Sequence, residues 1–498
     1  MRVLLVYPEI PDTFWSFKHA LRFIRKKASF PPLGLLTVAP MLPESWDLRL
    51  VDMNVERLTD RDLEWADYVF VSAMVVQREG SHRLIERCQS FDVKVVAGGP
   101  LFLSEHQDFP LVDYFVLDEA EATLPRFLND LEEGHPRRVY KREGDFPDIT
   151  KSPTPMWELV NLDYYSSMCI QYSRGCPFNC DFCNITAMLG HRPRCKTPEQ
   201  IIAELDALYE LGWRGGVFFV DDNFIGNKRK LKGELLPALI EWRKGKRGFS
   251  FQTEVSINMA DDPVLMDLMA QAGFEKVFVG IETPDEEGLA QCNKRQNEGR
   301  DLVADVKKLQ RAGFEVQGGF IVGFDSDEPS IFQRQIDFIQ NSGIVTAMVG
   351  LLQAPPGTRL RQRLKEEGRL LGKMSGQNTD NTMNFVPKMD AELLHEGYYR
   401  ILNSIYSPKA YYKRVRTFLQ EYKKNHVAQS IVSWQEVLAF FRSIFKLGIK
   451  GKERLEYWKL LFWTLFRRPR LFPEAVTMAI YGFHFRRVFE LYMSQRES

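Results

Sequence analysis

Short runs of β-branched and aromatic residues alternate with amphipathic stretches over the first 145 positions, at residues 3–6, 48–51, 68–71, 93–97 and 114–117. Such runs, separated by helix-length segments, predict a doubly wound parallel sheet. Ligands of these sheets sit beyond the carboxyl ends of the strands, here Tyr7-Pro8, Asp52-Met53-Asn54, Ser72-Ala73-Met74 and Gly98-Gly99-Pro100. The paired glycines would let a ligand approach the backbone. No GxGxxG follows the first run, which argues against a dinucleotide and leaves a ligand-free flavodoxin-like module as the plain alternative.

Residues 144–165 carry Pro147, Pro153 and Pro155 among polar residues, as an extended connector does. A second series follows, with strands expected at 168–172, 216–220, 250–255, 276–281, 316–322 and 345–351. Helical patterns at 198–211, 263–272 and 299–312 fall between them, several stopped by a glycine just past the end. Strand-helix units in this number predict a partial (β/α)6 barrel of the TIM type, with its chemistry at the carboxyl ends of the strands. After about Val386 the β signal stops and an aromatic, basic tail reads as helical. The expected class is α/β: a Rossmann-like domain over 1–145, a connector over 146–165, a barrel over 166–385 and a helical domain over 386–498.

Composition narrows this picture. Lys plus Arg and Asp plus Glu both number 66, so the whole chain has no bias toward nucleic acid, and no nucleic-acid partner is expected. The N-terminal apolar run ends at Pro8 and Glu9, too early for a signal peptide. The late apolar stretches at 460–466 and 475–483 fall short of a membrane span, so a cytoplasmic protein is expected. Seven cysteines are too few for a disulfide scaffold in 498 residues, and three of them crowd together, which favours a metal in a reducing compartment.

Those three lie in Tyr172-Ser173-Arg174-Gly175-Cys176-Pro177-Phe178-Asn179-Cys180-Asp181-Phe182-Cys183, a loop leaving the first barrel strand. Three thiolates can ligate three corners of an iron-sulfur cubane and leave the fourth iron open to an amine and a carboxylate. A zinc knuckle completed by Cys169, Cys195 or His191 is the competing reading, although knuckles usually pair two CxxC units. Cys88, Cys169, Cys195 and Cys292 otherwise read as ordinary residues.

The CxxxCxxC triplet with Phe182 before its last cysteine resembles the radical S-adenosylmethionine superfamily. That resemblance implies a [4Fe-4S] cluster on Cys176, Cys180 and Cys183 whose open iron binds S-adenosylmethionine, with Phe182 against the adenine. Val220-Asp221-Asp222-Asn223-Phe224 resembles the family's site for the methionyl amino group. Gln252-Thr253-Glu254 and Gly280-Ile281-Glu282-Thr283 resemble the next polar strand ends, and Gly319-Phe320-Ile321-Val322-Gly323 the strand that packs the adenine. Asp222, Glu254, Glu282, Gly319 and Ile321 thereby become candidates for holding S-adenosylmethionine. Carboxylates suit an ammonium and a ribose diol, although each singly also reads as a helix cap or a loop charge.

Ahead of such a barrel, the first sheet resembles the cobalamin-binding domain of cobalamin-dependent radical S-adenosylmethionine proteins. The likeness lies in Pro31-Pro32-Leu33-Gly34-Leu35 opening the first helix, in Gly98-Gly99-Pro100, and in Asp118-Glu119-Ala120-Glu121, where relatives usually begin Gly-Glu. It implies cobalamin contacts at Gly34, Leu35, Asp52, Ser72, Gly98, Gly99, Pro100 and Glu119. The Asp-x-His-x-x-Gly motif is absent and Asn54 stands at the comparable strand end, so no histidine is expected below cobalt.

Ser173-Arg174-Gly175-Cys176-Pro177-Phe178, Gly190-His191-Arg192-Pro193-Arg194 and Phe218-Phe219-Val220-Asp221-Asp222-Asn223 look like the subgroup that includes hopanoid methylases, in which a helical domain follows the barrel. The implied function is methylation of an unactivated carbon on a small-molecule or isoprenoid-lipid substrate, with an electron donor such as a flavodoxin or ferredoxin. The alternatives are a cyclisation, carbon-carbon coupling or rearrangement with the same cofactors, and a non-catalytic cobalamin sensor. Trp458, Leu461, Phe462 and Phe466 could form an apolar helix face with Arg467, Arg468 and Arg470 at lipid headgroups, which would place the protein at the inner face of the membrane. Aromatic residues at this spacing also read as core.

Overall fold

Val3, Leu4, Leu5 and Val6 are fully buried, because the strand they form lies inside a sheet covered on both faces. In the computed structural model, which describes residues 1–424 and 434–496, that strand is β1 (Arg2–Tyr7). It joins β2 (Asp47–Asp52), β3 (Tyr68–Ser72), β4 (Lys94–Gly98), β5 (Tyr114–Val116) and β6 (Val139–Tyr140) in a parallel sheet of order β2-β1-β3-β4-β5-β6. The strand order reverses between β1 and β3, which puts the sheet's crevice beyond their carboxyl ends. Side chains alternate between two cores: Leu4, Val6, Val69, Val71 and Val95 pack on one face, while Val3, Leu5, Phe70 and Val96 join a larger core that continues into the rest of the molecule.

The second sheet contains β7 (Ser167–Ile170), then β10 to β14 at Gly216–Phe219, Ser250–Val255, Phe274–Glu282, Glu315–Val322 and Ala347–Leu351. These are parallel in the order β14-β13-β12-β11-β10-β7, an open barrel. Between β7 and β10 a short antiparallel hairpin, β8 (Ser173–Arg174) with β9 (Arg194–Cys195), carries the cysteine loop. The crossover helices take their predicted ends from local chemistry. Helix Pro263–Ala272, for example, is capped by the Asp262 carboxylate and stopped by Gly273 at φ +94°.

The structure departs from the sequence reading in three places. The hairpin and β6 were not anticipated, since two-residue strands leave no periodic signal. A helix at Lys18–Ile24 precedes the one at Leu33–Val38, so Pro31-Pro32 opens the second helix. The proline-rich stretch expected to be an extended connector instead forms three 3₁₀ turns and buries Trp157 and Tyr165.

Beyond the barrel come helices Ala391–Tyr406, Pro408–Glu421, Trp434–Ser443, Arg454–Arg467 and Phe472–Arg496. The last returns to the start of the chain: Phe485 stacks on Phe14 at 4.4 Å, and the His484 ring meets the Phe14 carbonyl at 2.9 Å. No helix among the described residues is long and apolar enough to cross a membrane.

Candidate functional site

The cysteine loop is fixed at its base before any cofactor is considered. Asp221, fully buried after β10, accepts hydrogen bonds from the Tyr172 amide at 3.0 Å and from the Ser173 amide and hydroxyl at 2.5 Å each. Burial pushes its carboxyl up to about 7 against the pull of those donors. Gly175 turns the chain with φ +95°, where a Cβ would meet the Gly190 carbonyl at 2.8 Å, so no other residue fits. The outer rim is pinned by the Asn293 amide group and the Arg359 guanidinium, both donating to the Asn179 carbonyl.

Cys176, Cys180 and Cys183 are half-buried on this loop. Asn223 Nδ2 lies 3.9 Å from Cys176 Sγ and Gln296 Nε2 lies 3.7 Å from Cys180 Sγ, so amide donors already point at two of the sulfurs. Burial raises the thiols of Cys176 and Cys183, the latter to about 12, so iron would displace protons on binding. No three His, Cys, Asp or Glu among the described residues are grouped as ligands of one ion. In a cubane each of the three thiolates would hold a different iron.

Glu282 sits at the end of β12 with φ +66°, and its carboxylate is taken by Lys294 at 2.6 Å. Burial opposes the charge on Lys294, but Glu282, Cys180 and Cys183 around it outweigh that and raise its pKa. The same ammonium lies 5.8 Å from the centre of the Phe182 ring, which packs at 6.3 Å against Phe324 and shares a small core with half-buried Ile321. Gly319 lies under the Phe278 ring, where a Cβ would stand 2.8 Å from it. Asp222 and Glu254 differ from Glu282, for neither forms an ion pair among the described residues. Burial pushes Asp222 up to about 6 and Glu254 to about 8. Charged-form carboxylates there call for a cation or a diol to come from outside the chain.

A cavity of about 780 Å³ opens between the carboxyl edges of the two sheets. Gly34, Leu35, Ser72, Gly98, Gly99, Pro100 and Glu119 all line it. Asp52 does not: it is buried and bonds the Asn54 amide at 2.9 Å and the Tyr165 hydroxyl at 2.9 Å, so its role is to brace the strand end. Asn54 lines the cavity, yet its side chain already bonds Ile10, Pro8 and Asp52. The two glycines are required by the fold itself, because a Cβ on Gly98 would meet the Val116 carbonyl at 2.7 Å and one on Gly99 the Ser72 hydroxyl at 2.7 Å. Gly34 is different. Its Cβ would meet only the Ser72 hydroxyl at 3.9 Å, so that helix turn leaves room beside the cavity.

Glu119 has a second task. It pairs with Arg174 at 2.7 Å and Arg194 at 2.8 Å, while Glu121 pairs with Arg174 at 2.9 Å. Burial alone would raise the Glu121 carboxyl, but Arg174 and the Ser152 hydroxyl hold it at about 2. This knot fastens the first domain to the hairpin that carries the cysteines. Sequence reasoning also missed Lys294, Gln296 and the segment around Gly376, whose positive φ and close approach to the Val76 amide bring 376–379 into the cavity wall. Only Gly376 carried a signal that a sequence could show.

Three family models match the chain: B12 binding domain over residues 24–128, radical SAM superfamily over 170–339, and a domain of unknown function, DUF4070, over 358–498. An uncharacterized methyltransferase of Synechocystis sp. is 40% identical over 97% of this chain and 91% of its own. The hopanoid C-2 methylase of Rhodopseudomonas palustris is 35% identical over 94% of this chain and 90% of its own. Among solved structures, the cobalamin-dependent S-adenosylmethionine radical enzyme OxsB with aqua-cobalamin bound superposes with TM-score 0.63 at 14% identity, covering 100% of this chain and 80% of that one.

Proposed function

This chain belongs to the cobalamin-dependent radical S-adenosylmethionine family, and from that premise we propose that it methylates an unactivated carbon of a polycyclic isoprenoid lipid of the hopanoid kind. The cofactors are a [4Fe-4S] cluster, S-adenosylmethionine and cobalamin. The observation that carries the substrate is the likeness to the hopanoid C-2 methylase, which runs through 94% of the chain and so includes the C-terminal helices.

The residues fit these groups. Cys176, Cys180 and Cys183 supply three thiolates on a loop already braced by Asp221, and Asn223 and Gln296 offer hydrogen bonds to the sulfurs. Asp222 and Glu254 suit the ammonium and diol of S-adenosylmethionine, and Phe182 and Ile321 offer apolar contact to its adenine. When bound, these cofactors supply hydrogen abstraction and a transferable methyl group. The chain's part is to hold them together and keep water away: Phe30, Met41, Met188 and Phe218 line the cavity with apolar surface that an isoprenoid skeleton can share. A cytoplasmic position and an external flavodoxin or ferredoxin complete the reading.

Reconstituted anaerobic protein given methyl-labelled S-adenosylmethionine, a reductant and a bacterial lipid extract is expected to yield a lipid heavier by one labelled methyl, with 5′-deoxyadenosine and S-adenosylhomocysteine. Cys176→Ala, Cys180→Ala and Cys183→Ala are each expected to lose the cluster's iron and all 5′-deoxyadenosine. Label appearing only in a water-soluble compound would refute the lipid substrate. Absence of S-adenosylhomocysteine alone would favour a cyclisation or rearrangement, and a relative named anaerobic magnesium-protoporphyrin IX monomethyl ester cyclase, 26% identical over 68% of the chain, keeps that second reading in view.

A further inference from the structure

The helices after residue 434 expose apolar side chains that a water-facing surface has no use for. Phe441, Phe445 and Ile449 follow one face of helix Trp434–Ser443 and of the π turn Ile444–Ile449 that prolongs it. Leu455, Phe462 and Phe466 follow one face of helix Arg454–Arg467. All six are more than half exposed, Phe466 by 79%. Trp458 joins the two lines: its indole N–H donates to the Gly448 carbonyl at 3.0 Å, and its ring stacks on Phe462 at 5.7 Å. The face differs from the one the sequence suggested, because Leu461 is buried, Trp458 is half-buried and the Arg468 guanidinium is spent on the Gln420 and Tyr422 carbonyls.

Charge says what would cover it. Residues 434–470 hold nine Lys or Arg against three Glu, in a chain that is balanced overall. All three glutamates are engaged, Glu453 with Arg486 at 2.5 Å and Glu456 with Lys459 at 2.7 Å among them. Lys450, Lys452, Arg454, Arg467 and Arg470 are exposed at the ends of the two helices. Apolar rings rimmed by cations match the acyl boundary and headgroups of an anionic leaflet. A protein partner with an acidic rim would answer the cations equally, and is the outcome in which the vesicles are not bound. The patch also adjoins the cavity wall. Arg442 donates to the Phe23 carbonyl and the Lys446 ammonium lies 4.9 Å from the Phe23 ring, on the helix that continues from Phe14, Trp15 and Ser16, which line the cavity.

We infer that the Phe441–Ile449 and Leu455–Phe466 faces form one docking surface for an anionic lipid bilayer, laid flat on the leaflet without spanning it. The inference rests on the reading of a lipid as methyl acceptor, and deepens it by assigning the surface that meets the membrane.

The test is flotation of the full-length holoenzyme with vesicles of phosphatidylglycerol and phosphatidylcholine, beside vesicles of phosphatidylcholine alone. The holoenzyme is expected to float with the anionic vesicles and more weakly with the neutral ones. Combined Lys450→Glu, Lys452→Glu and Arg467→Glu substitution is expected to cut the bound fraction by at least ~10-fold, since each cation near an anionic surface contributes roughly fivefold. Phe462→Ser with Phe466→Ser is expected to abolish binding to both vesicles while the thermal midpoint changes little, because Phe466 is largely exposed and Phe462 gives up only its stacking on Trp458. No flotation of the unaltered holoenzyme, or flotation that survives both sets of substitutions, overturns the inference. So does a sedimentation shift showing that the serine variant splits a dimer, which would assign the face to a second copy. Substrate and surface separate cleanly: labelled lipid without flotation rejects the surface alone, and flotation with a labelled water-soluble product rejects the substrate alone.

Discussion

Glu254 is a cost the ligand-free chain carries. Burial raises its carboxyl from the ordinary 4.5 to about 8, so between those values the folded chain keeps a proton that the unfolded chain has released. Its contribution to stability therefore falls as pH rises through that window, by a few kcal/mol at most. Glu254→Gln is expected to raise the melting midpoint of cofactor-free protein at pH 8 and leave it nearly unchanged at pH 4.5, while weakening S-adenosylmethionine binding in calorimetry. A variant that melts earlier at pH 8, or binds the ligand unchanged, would refute this role. The glycines separate in the same manner. Gly34→Leu has space at its Cβ and is expected to fold with cobalamin affinity lowered at least ~10-fold, as a branched side chain enters the cavity. Gly98→Leu meets the β5 backbone and is expected to lose the fold itself, visible as a lost cooperative melt. Both glycines were legible from sequence as candidates, but which one serves the ligand depends on which atoms face it across the sheet.

The strands were readable because parallel strands covered on both faces leave continuous apolar runs, as at 3–6 and 68–71. The cysteine hairpin was not, for Ser173-Arg174 and Arg194-Cys195 are too short to show a period. The helix Arg454–Arg467 is apolar nearly all round, so its sequence could not say which of Trp458, Leu461, Phe462 and Phe466 face inward. The last helix illustrates an element whose fit is pH-sensitive. A carbonyl can only accept, so His484 donates from Nε2 to Phe14, and its Nδ1 is buried without a partner among the described residues. Burial lowers this histidine from 6.5 to about 4. The unfolded chain takes up a proton first as pH falls, so stability is expected to decline between those values by on the order of 3 kcal/mol. His484→Gln should start less stable at pH 7 and lose less on acidification, as read from urea midpoints.

The larger of the cores runs unbroken from the inner face of the first sheet through the barrel into the C-terminal helices. No part of the sequence announced this merging, because partners such as Phe14 and Phe485 lie 471 positions apart in number and meet only after folding. The four-residue knot of Glu119, Glu121, Arg174 and Arg194 is the polar counterpart of that union. Its carboxylates and guanidinium groups are mostly withdrawn from water, with side-chain exposure of 6% for Glu119 and 13% for Arg174. A gene divided between the codons for residues 145 and 146 would send both glutamates to one polypeptide and both arginines to another. Each half would carry like charges with nothing to neutralise them on a surface shaped for burial. The halves are expected to precipitate when produced singly and to be recovered together, in equal amounts, when produced in the same cell. The two cofactor-binding parts are therefore matched to each other: neither could be shuffled to another neighbour without bringing the complementary charges along.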